Sequence, residues 1–308
     1  MAPALLPPPT AFSAAESSAI DGPTGAPWAL LEQTWSLIAQ HAGLDAPVIR
    51  AHFHADFPQQ SRILQSPEGD VLLHRGPGEW WFRYPDSLAC RIASGPAPVI
   101  ELEHHTGSSL EQFTRLAGPV TAMVMDVCGF YPLHACGLVF GSRMFAVHGR
   151  SGSGKSTLAA MLAGSGVPVA GDDLLPLDGS GHVVGVGGSL RVQPIHAPPD
   201  RQPLALLPDG RGWYPLPVLP TMPLGALLLL ERGPVVQVEP LRGADRLLAV
   251  LRSGYLSHME PSPAPAWHER IVKAAGEVEV LRLVIPDTLD ALSGHRDQLI
   301  ALLESLAR

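Results

Sequence analysis

The run Gly149-Arg150-Ser151-Gly152-Ser153-Gly154-Lys155-Ser156-Thr157 constrains this chain more than any other stretch. It fits the spacing G-x-x-x-x-G-K-[ST], where glycines let the backbone curl until successive N–H groups point at phosphate oxygens. At that spacing Lys155 reaches the β- and γ-phosphates of a nucleotide, and Ser156 offers its hydroxyl to Mg2+. Such a loop needs a strand before it and a helix after it. Met144-Phe145-Ala146-Val147 is a short apolar run of strand type. Residues 156–163 are mostly helix formers, stopped by Gly164 and Gly166.

The surroundings of the loop add two constraints. Residues 134–140 and 143–147 are apolar runs joined by Gly141-Ser142, which predicts a β-hairpin. The strand feeding the loop is then antiparallel to its predecessor, so the sheet is mixed. Downstream, residues 167–171 read as a strand that ends in Asp172-Asp173. A carboxylate at the end of the strand after a phosphate-loop helix is where a Mg2+-binding acid belongs. Two adjacent Asp side chains are costly together unless a cation or a shared proton neutralises them.

The rest of the chain divides by pattern. Residues 1–25, with prolines at 7–9, read as a loosely held N-terminus that is neither signal peptide nor membrane anchor. Residues 26–107 read as a small β-rich α+β module: a helix over 28–42, then short apolar runs alternating with turn clusters. Residues 108–308 read as the domain carrying the loop. Within it, residues 108–129 have a helical apolar face that Pro119 must kink or restart. Residues 174–177 and 182–186 suggest a second hairpin, 189–193 a strand, and the proline-dense 194–223 a long loop or lid. Residues 224–231 form a buried strand with 235–238 as its partner. Helices are expected over 244–255 and 266–275, a strand over 278–285 and one closing helix over 288–306.

Composition excludes some classes. A net charge of −8 argues against a nucleic-acid binder. Asp126, Pro132 and His134 interrupt the most apolar stretch, 120–140, so no membrane span is expected. Cys90, Cys128 and Cys136 are odd in number and lack metal spacing, so they read as buried thiols of a reducing compartment, by default the cytoplasm. His52, His54 and Asp56, and the pair His104-His105, lack a metalloprotease framework and read as surface or half-buried side chains. A homo-oligomer is compatible with all of this.

His134, the loop 149–157 and the Asp172-Asp173 pair together resemble HPr kinase/phosphorylase. The resemblance is closer to its kinase-only relatives in bacterial peptide-modification clusters, including kinases of lasso-peptide precursors. It implies an α/β fold with a P-loop kinase domain of the phosphoenolpyruvate-carboxykinase-like type and a mixed sheet. It also implies ATP- and Mg2+-dependent phosphorylation of a Ser in a peptide or small protein. Under it, Gly149, Arg150, Ser151, Gly152, Ser153, Gly154, Lys155, Ser156 and Thr157 hold the nucleotide, and Ser156 and Asp173 hold the metal. Asp172 would be the general base and His134 would tune the pair; separately, the charge of a transferred phosphoryl group calls for a basic residue facing it, for which Arg191, Arg232 and Arg252 are the candidates. The chain lacks the Arg-Gly-Leu-Gly-type run of the bifunctional enzymes, which argues against dephosphorylation and against HPr as the acceptor; it also has Thr157 where they commonly have Glu, as many generic NTPases do. A nucleotide-binding regulatory scaffold and a small-molecule kinase share the same motifs.

Overall fold

The computed structural model describes residues 26–51, 57–59, 61–66, 69–84, 88–104, 110–197, 201–207, 209–259, 269, 273, 276 and 278–308. The expectations for residues 1–25, for His52, His54, Asp56 and His105, for the His104 side chain and for most of 266–275 lie outside the described residues. The chain divides into two units, with the boundary between Gly129 and Phe130.

The N-terminal unit begins with α1 (Ala26–His41). Its six strands are β1 (Val48–Ala51), β2 (Arg62–Ser66), β3 (Gly69–Gly76), β4 (Glu79–Tyr84), β5 (Leu88–Ala93) and β6 (Val99–His104). They form one sheet in the order β1-β6-β5-β4-β3-β2, antiparallel except for the β1–β6 edge. α2 (Leu110–Arg115) and α3 (Thr121–Val127) follow, joined by a π-helical turn over Leu116–Val120 that contains Pro119. Proline has no N–H to give the α-helical ladder, and the wider turn accommodates it.

The expected boundary at 107/108 moves to 129/130 because α3 packs on α1 and β5. Trp35 Nε1 donates to Thr121 Oγ1 at 2.9 Å. The buried Asp126 carboxylate accepts from Trp80 Nε1 at 2.8 Å and from Arg75 at 3.1 Å. A buried carboxylate needs such partners, so these bonds tie the helical segment to the sheet.

The second unit starts with β7 (Tyr131–Leu133), the hairpin β8 (Cys136–Phe140) and β9 (Arg143–His148), and α4 (Lys155–Gly164). β10 (Val169–Gly171), β11 (Leu175–Leu177), β12 (His182–Val183) and β13 (Gly188–Val192) come next. β14 (Ala205–Leu206), β15 (Gly212–Leu216), β16 (Met222–Arg232), β17 (Gln237–Pro240), α5 (Gly243–Ser253) and β18 (Glu279–Ile285) complete the strands. β8 and β9 are antiparallel, whereas β16 runs parallel to both β9 and β18, so the sheet is mixed as expected. The all-apolar centre of β16 follows from this place. Ala226, Leu228 and Leu230 share one core with Leu158, Ala159 and Leu162 of α4 and with Leu299 and Leu303 near the C-terminus.

Three expectations are corrected. Residues 194–223 are not one long loop: β15 pairs with β13 and β14 in a three-stranded sheet, and Trp213 and Tyr214 are buried there. β17 pairs antiparallel with β18, not with β16, whose two sides are already taken by β9 and β18. The closing helix is two helices, Leu289–Gly294 and Arg296–Leu306, separated at the non-helical His295.

Candidate functional site

The loop between β9 and α4 has the backbone its glycines permit. Gly152 and Gly154 lie at φ +78° and +92°, the left-handed region that a side chain disfavours. Gly154 also caps α4, so the helix begins at Lys155 and its N-terminal N–H groups face the loop. Lys155 is 6% exposed and donates from Nζ to Gly149 O at 2.7 Å. Burial lowers its pKa, while the nearby Asp172 charge opposes that shift. Ser153 Oγ is sealed from solvent without a hydrogen-bond partner.

In front of the loop lies a cavity of about 420 Å3. Residues 150–157 line one side of it; His134, Asp173, Arg191, Gln193, His196, Arg211 and Tyr255 line the rest. Among the described residues, Arg150, Lys155, Arg191 and Arg211 line the cavity with one carboxylate, Asp173, so that lining carries excess positive charge. That balance suits a polyanion such as a nucleotide's phosphate tail.

The two acids are placed differently. Asp172 is 2% exposed and is absent from the cavity wall. Its Oδ2 accepts from the Arg191 backbone N–H at 3.0 Å, and its Oδ1 is buried with no hydrogen bond of ordinary geometry. Burial raises its pKa, opposed by the Arg191 N–H, the Ser156 hydroxyl and the charges of Arg191 and Lys155. Asp173 faces the cavity, pairs with the Arg191 guanidinium and lies 3.8 Å from His134 Nε2. The resemblance implied Asp172 as the general base; its carboxylate lies beside Ser156, away from the cavity wall that Asp173 lines.

A Mg2+ ion fits this arrangement. Asp172 has an orphaned buried oxygen, and the Ser156 hydroxyl acts on the same carboxylate. One carboxylate, one hydroxyl and phosphate oxygens are a common Mg2+ shell, which keeps several waters and needs no protein cage. Among the described residues, no group of three or more His, Cys, Asp or Glu side chains forms such a cage.

Among the arginines singled out, Arg191 lines the cavity and Arg252 does not. Arg232 bonds to the back of the loop, donating from Nε to Ser153 O at 2.9 Å. The structure adds residues that sequence reasoning missed. Tyr255 follows α5 in a 3-10 turn and sets its ring 5.3 Å from that of His134. His148, the last residue of β9, is buried and holds the His134 carbonyl through Nδ1 at 2.8 Å. Its place just before the loop was the available signal. Arg211 and His196 come from the stretch read as a loop and gave none.

No family model matches the chain, and no curated protein is significantly similar to it. Among solved structures the chain is similar to the HPr(Ser) kinase/phosphatase from Coxiella burnetii, at 16% identity and a TM-score of 0.30. The match covers 57% of this chain and 88% of that one. A likeness at that score decides neither an activity nor a fold, and nothing in these comparisons points to peptide-modification clusters. No helix among the described residues is long and apolar enough to cross a membrane. Cys90, Cys128 and Cys136 are all free and buried.

Proposed function

We propose that this chain is an ATP- and Mg2+-dependent phosphotransferase that moves the γ-phosphoryl group to a hydroxyl, with a Ser of a peptide or small protein as the acceptor. One observation carries the reading. Loop residues 150–157 and the cluster Asp173, His134 and Arg191 line one cavity, while the buried Asp172 lies beside Ser156. A nucleotide-binding scaffold needs the loop and one metal acid, but not a second acid beside a histidine and an arginine.

The chain's own groups divide the work. The loop N–H groups and Lys155 hold the phosphates, with Lys155 exchanging the Gly149 carbonyl for a phosphate oxygen. Ser156 and Asp172 would hold Mg2+, which would supply neutralisation of the phosphate charge. Asp173 takes the acceptor hydroxyl's proton, the reverse of the role order that the family resemblance implies. Its pairing with Arg191 restrains that basicity, so Arg191 must turn toward the phosphoryl group as the acceptor arrives. His134, fixed by His148 and Tyr255, orients Asp173. Phosphoryl transfer asks mainly for such positioning and charge neutralisation.

The test is incubation with γ-labelled ATP, Mg2+ and a panel of Ser-containing peptides and small hydroxyl compounds, read by mass spectrometry. Label on a peptide Ser supports the reading; label on a small compound alone keeps the phosphotransferase and removes the peptide. ATP binding without transfer to any acceptor returns the chain to the scaffold class.

A further inference from the structure

A phosphate loop turns its N–H groups inward, so its carbonyls face back into the protein and need donors of their own. The Gly149 carbonyl takes the Lys155 ammonium, Arg150 takes the Ser153 N–H at 3.0 Å, and Gly154 takes the Leu158 N–H at 2.9 Å. The Ser153 carbonyl is taken by a side chain from elsewhere in the chain, Arg232 Nε at 2.9 Å.

Arg232 ends β16, the strand lying between β9 and β18. Its guanidinium is fixed twice, because Nη1 also donates to Pro286 O at 2.6 Å, just past β18. It packs so closely on Gly154 that a Cβ there would overlap it. Gly154 therefore answers to two constraints, its left-handed φ and this contact.

The consequence comes from peptide geometry. The Ser153 carbonyl and the Gly154 N–H belong to one planar trans peptide, so they point in opposite directions. With the carbonyl held on Arg232, the Gly154 N–H is turned toward the cavity that Gly154 lines. We propose that Arg232 is a positioning residue of the phosphate site: it orients the Gly154 N–H as a phosphate donor without lining the cavity itself. This rests on the loop binding phosphate, not on phosphoryl transfer. Loss of one charge-assisted bond that orients a donor weakens phosphate binding by about tenfold or more.

The test uses the full chain, Mg2+ and ADP, with affinity from calorimetry and the Gly154 amide followed in glycine-15N-labelled protein. Arg232→Gln is expected to bind ADP at least about tenfold more weakly and to shrink the ADP-induced shift of the Gly154 resonance. Arg232→Lys keeps the charge but loses the fork, and falls between. Unchanged ADP affinity overturns the proposal, as does weaker binding with the Gly154 shift intact. If Arg232→Gln does not fold, Arg232→Lys decides: several-fold weaker ADP binding at unchanged Tm supports the proposal, and equal binding overturns it. Failure of the wild-type chain to bind ADP also overturns it. A wild-type chain that binds ADP yet phosphorylates nothing removes the kinase reading alone, and the binding comparison still stands.

Discussion

Replacing Asp172 with Asn should make the ligand-free protein more stable while removing its use of Mg2+. The side chain is 2% exposed, one carboxylate oxygen accepts from the Arg191 N–H at 3.0 Å, and the other is buried without a regular partner. Burial is the largest influence on its pKa and pushes it up, outweighing Arg191 and Lys155. A pKa raised by folding means that the folded state holds the proton more tightly than the unfolded one. The stability tied to this proton is full below the unfolded pKa and is lost as pH rises through the higher folded value. At neutral pH the ionised group is thus a net cost. An unpaired buried polar atom costs about 1–3 kcal/mol, and an isosteric amide still accepts from Arg191 while offering Ser156 a donor. We expect a gain of about 1–2 kcal/mol, which at about 2–4 °C per kcal/mol for a unit of this size raises Tm by about 2–8 °C. The gap should close in acid. Calorimetry without ligand measures the gain, and the same scan with Mg2+ and ADP should show a smaller ligand-induced shift in the variant. A folded Asp172→Asn protein that is less stable than wild type at neutral pH, or that keeps the full Mg2+-dependent shift, refutes the reasoning.

Other perturbations separate the roles. Lys155→Ala should weaken ADP binding by about a hundredfold, the loss of a strong charge-assisted contact, and equal affinity by calorimetry would remove the phosphate-loop assignment. Asp173→Asn should leave ADP affinity within about threefold while slowing transfer by about 10²–10⁴, the usual worth of a general base; single-turnover rates near wild type would take the base role from Asp173. In the N-terminal unit, Asp126→Ala leaves Arg75 and Trp80 Nε1 without their shared acceptor. Urea unfolding should show a loss of about 3 kcal/mol, and a loss under 1 kcal/mol would mean that this buried pair is structurally idle. Native-state alkylation should spare Cys136, which is fully buried and whose thiol pKa burial raises; rapid labelling would contradict its place in the core.

What was legible in the sequence was local. The hairpin of β8 and β9 follows from two apolar runs around Gly141-Ser142, and Gly141 takes φ +58° as such a turn requires. The loop and α4 follow from glycine spacing and helix formers. What was not legible depends on distant partners. Residues 194–223 look like a loop because their prolines mask the pairing, yet Arg191 opposite Trp213 and Leu190 opposite Tyr214 build the sheet that brings Arg211 beside the cavity. The register of β17 with β18 likewise could not be read, since it depends on which sides of β16 were free.

The acid pair shows where local and distant information meet. Asp172 and Asp173 follow β10 in a bend, where the first is buried and the second lines the cavity. Which acid takes which role depends on the face covered by the loop and by β13, whose Arg191 gives its backbone N–H to Asp172 and its guanidinium to Asp173. One residue thus sorts the pair, holding the buried acid by the main chain and the facing acid by the side chain. An Arg191→Ala variant should therefore keep the Asp172 hydrogen bond and its share of ADP·Mg2+ affinity while losing transfer. Parallel loss of both would mean that the guanidinium, not the backbone, holds this corner together.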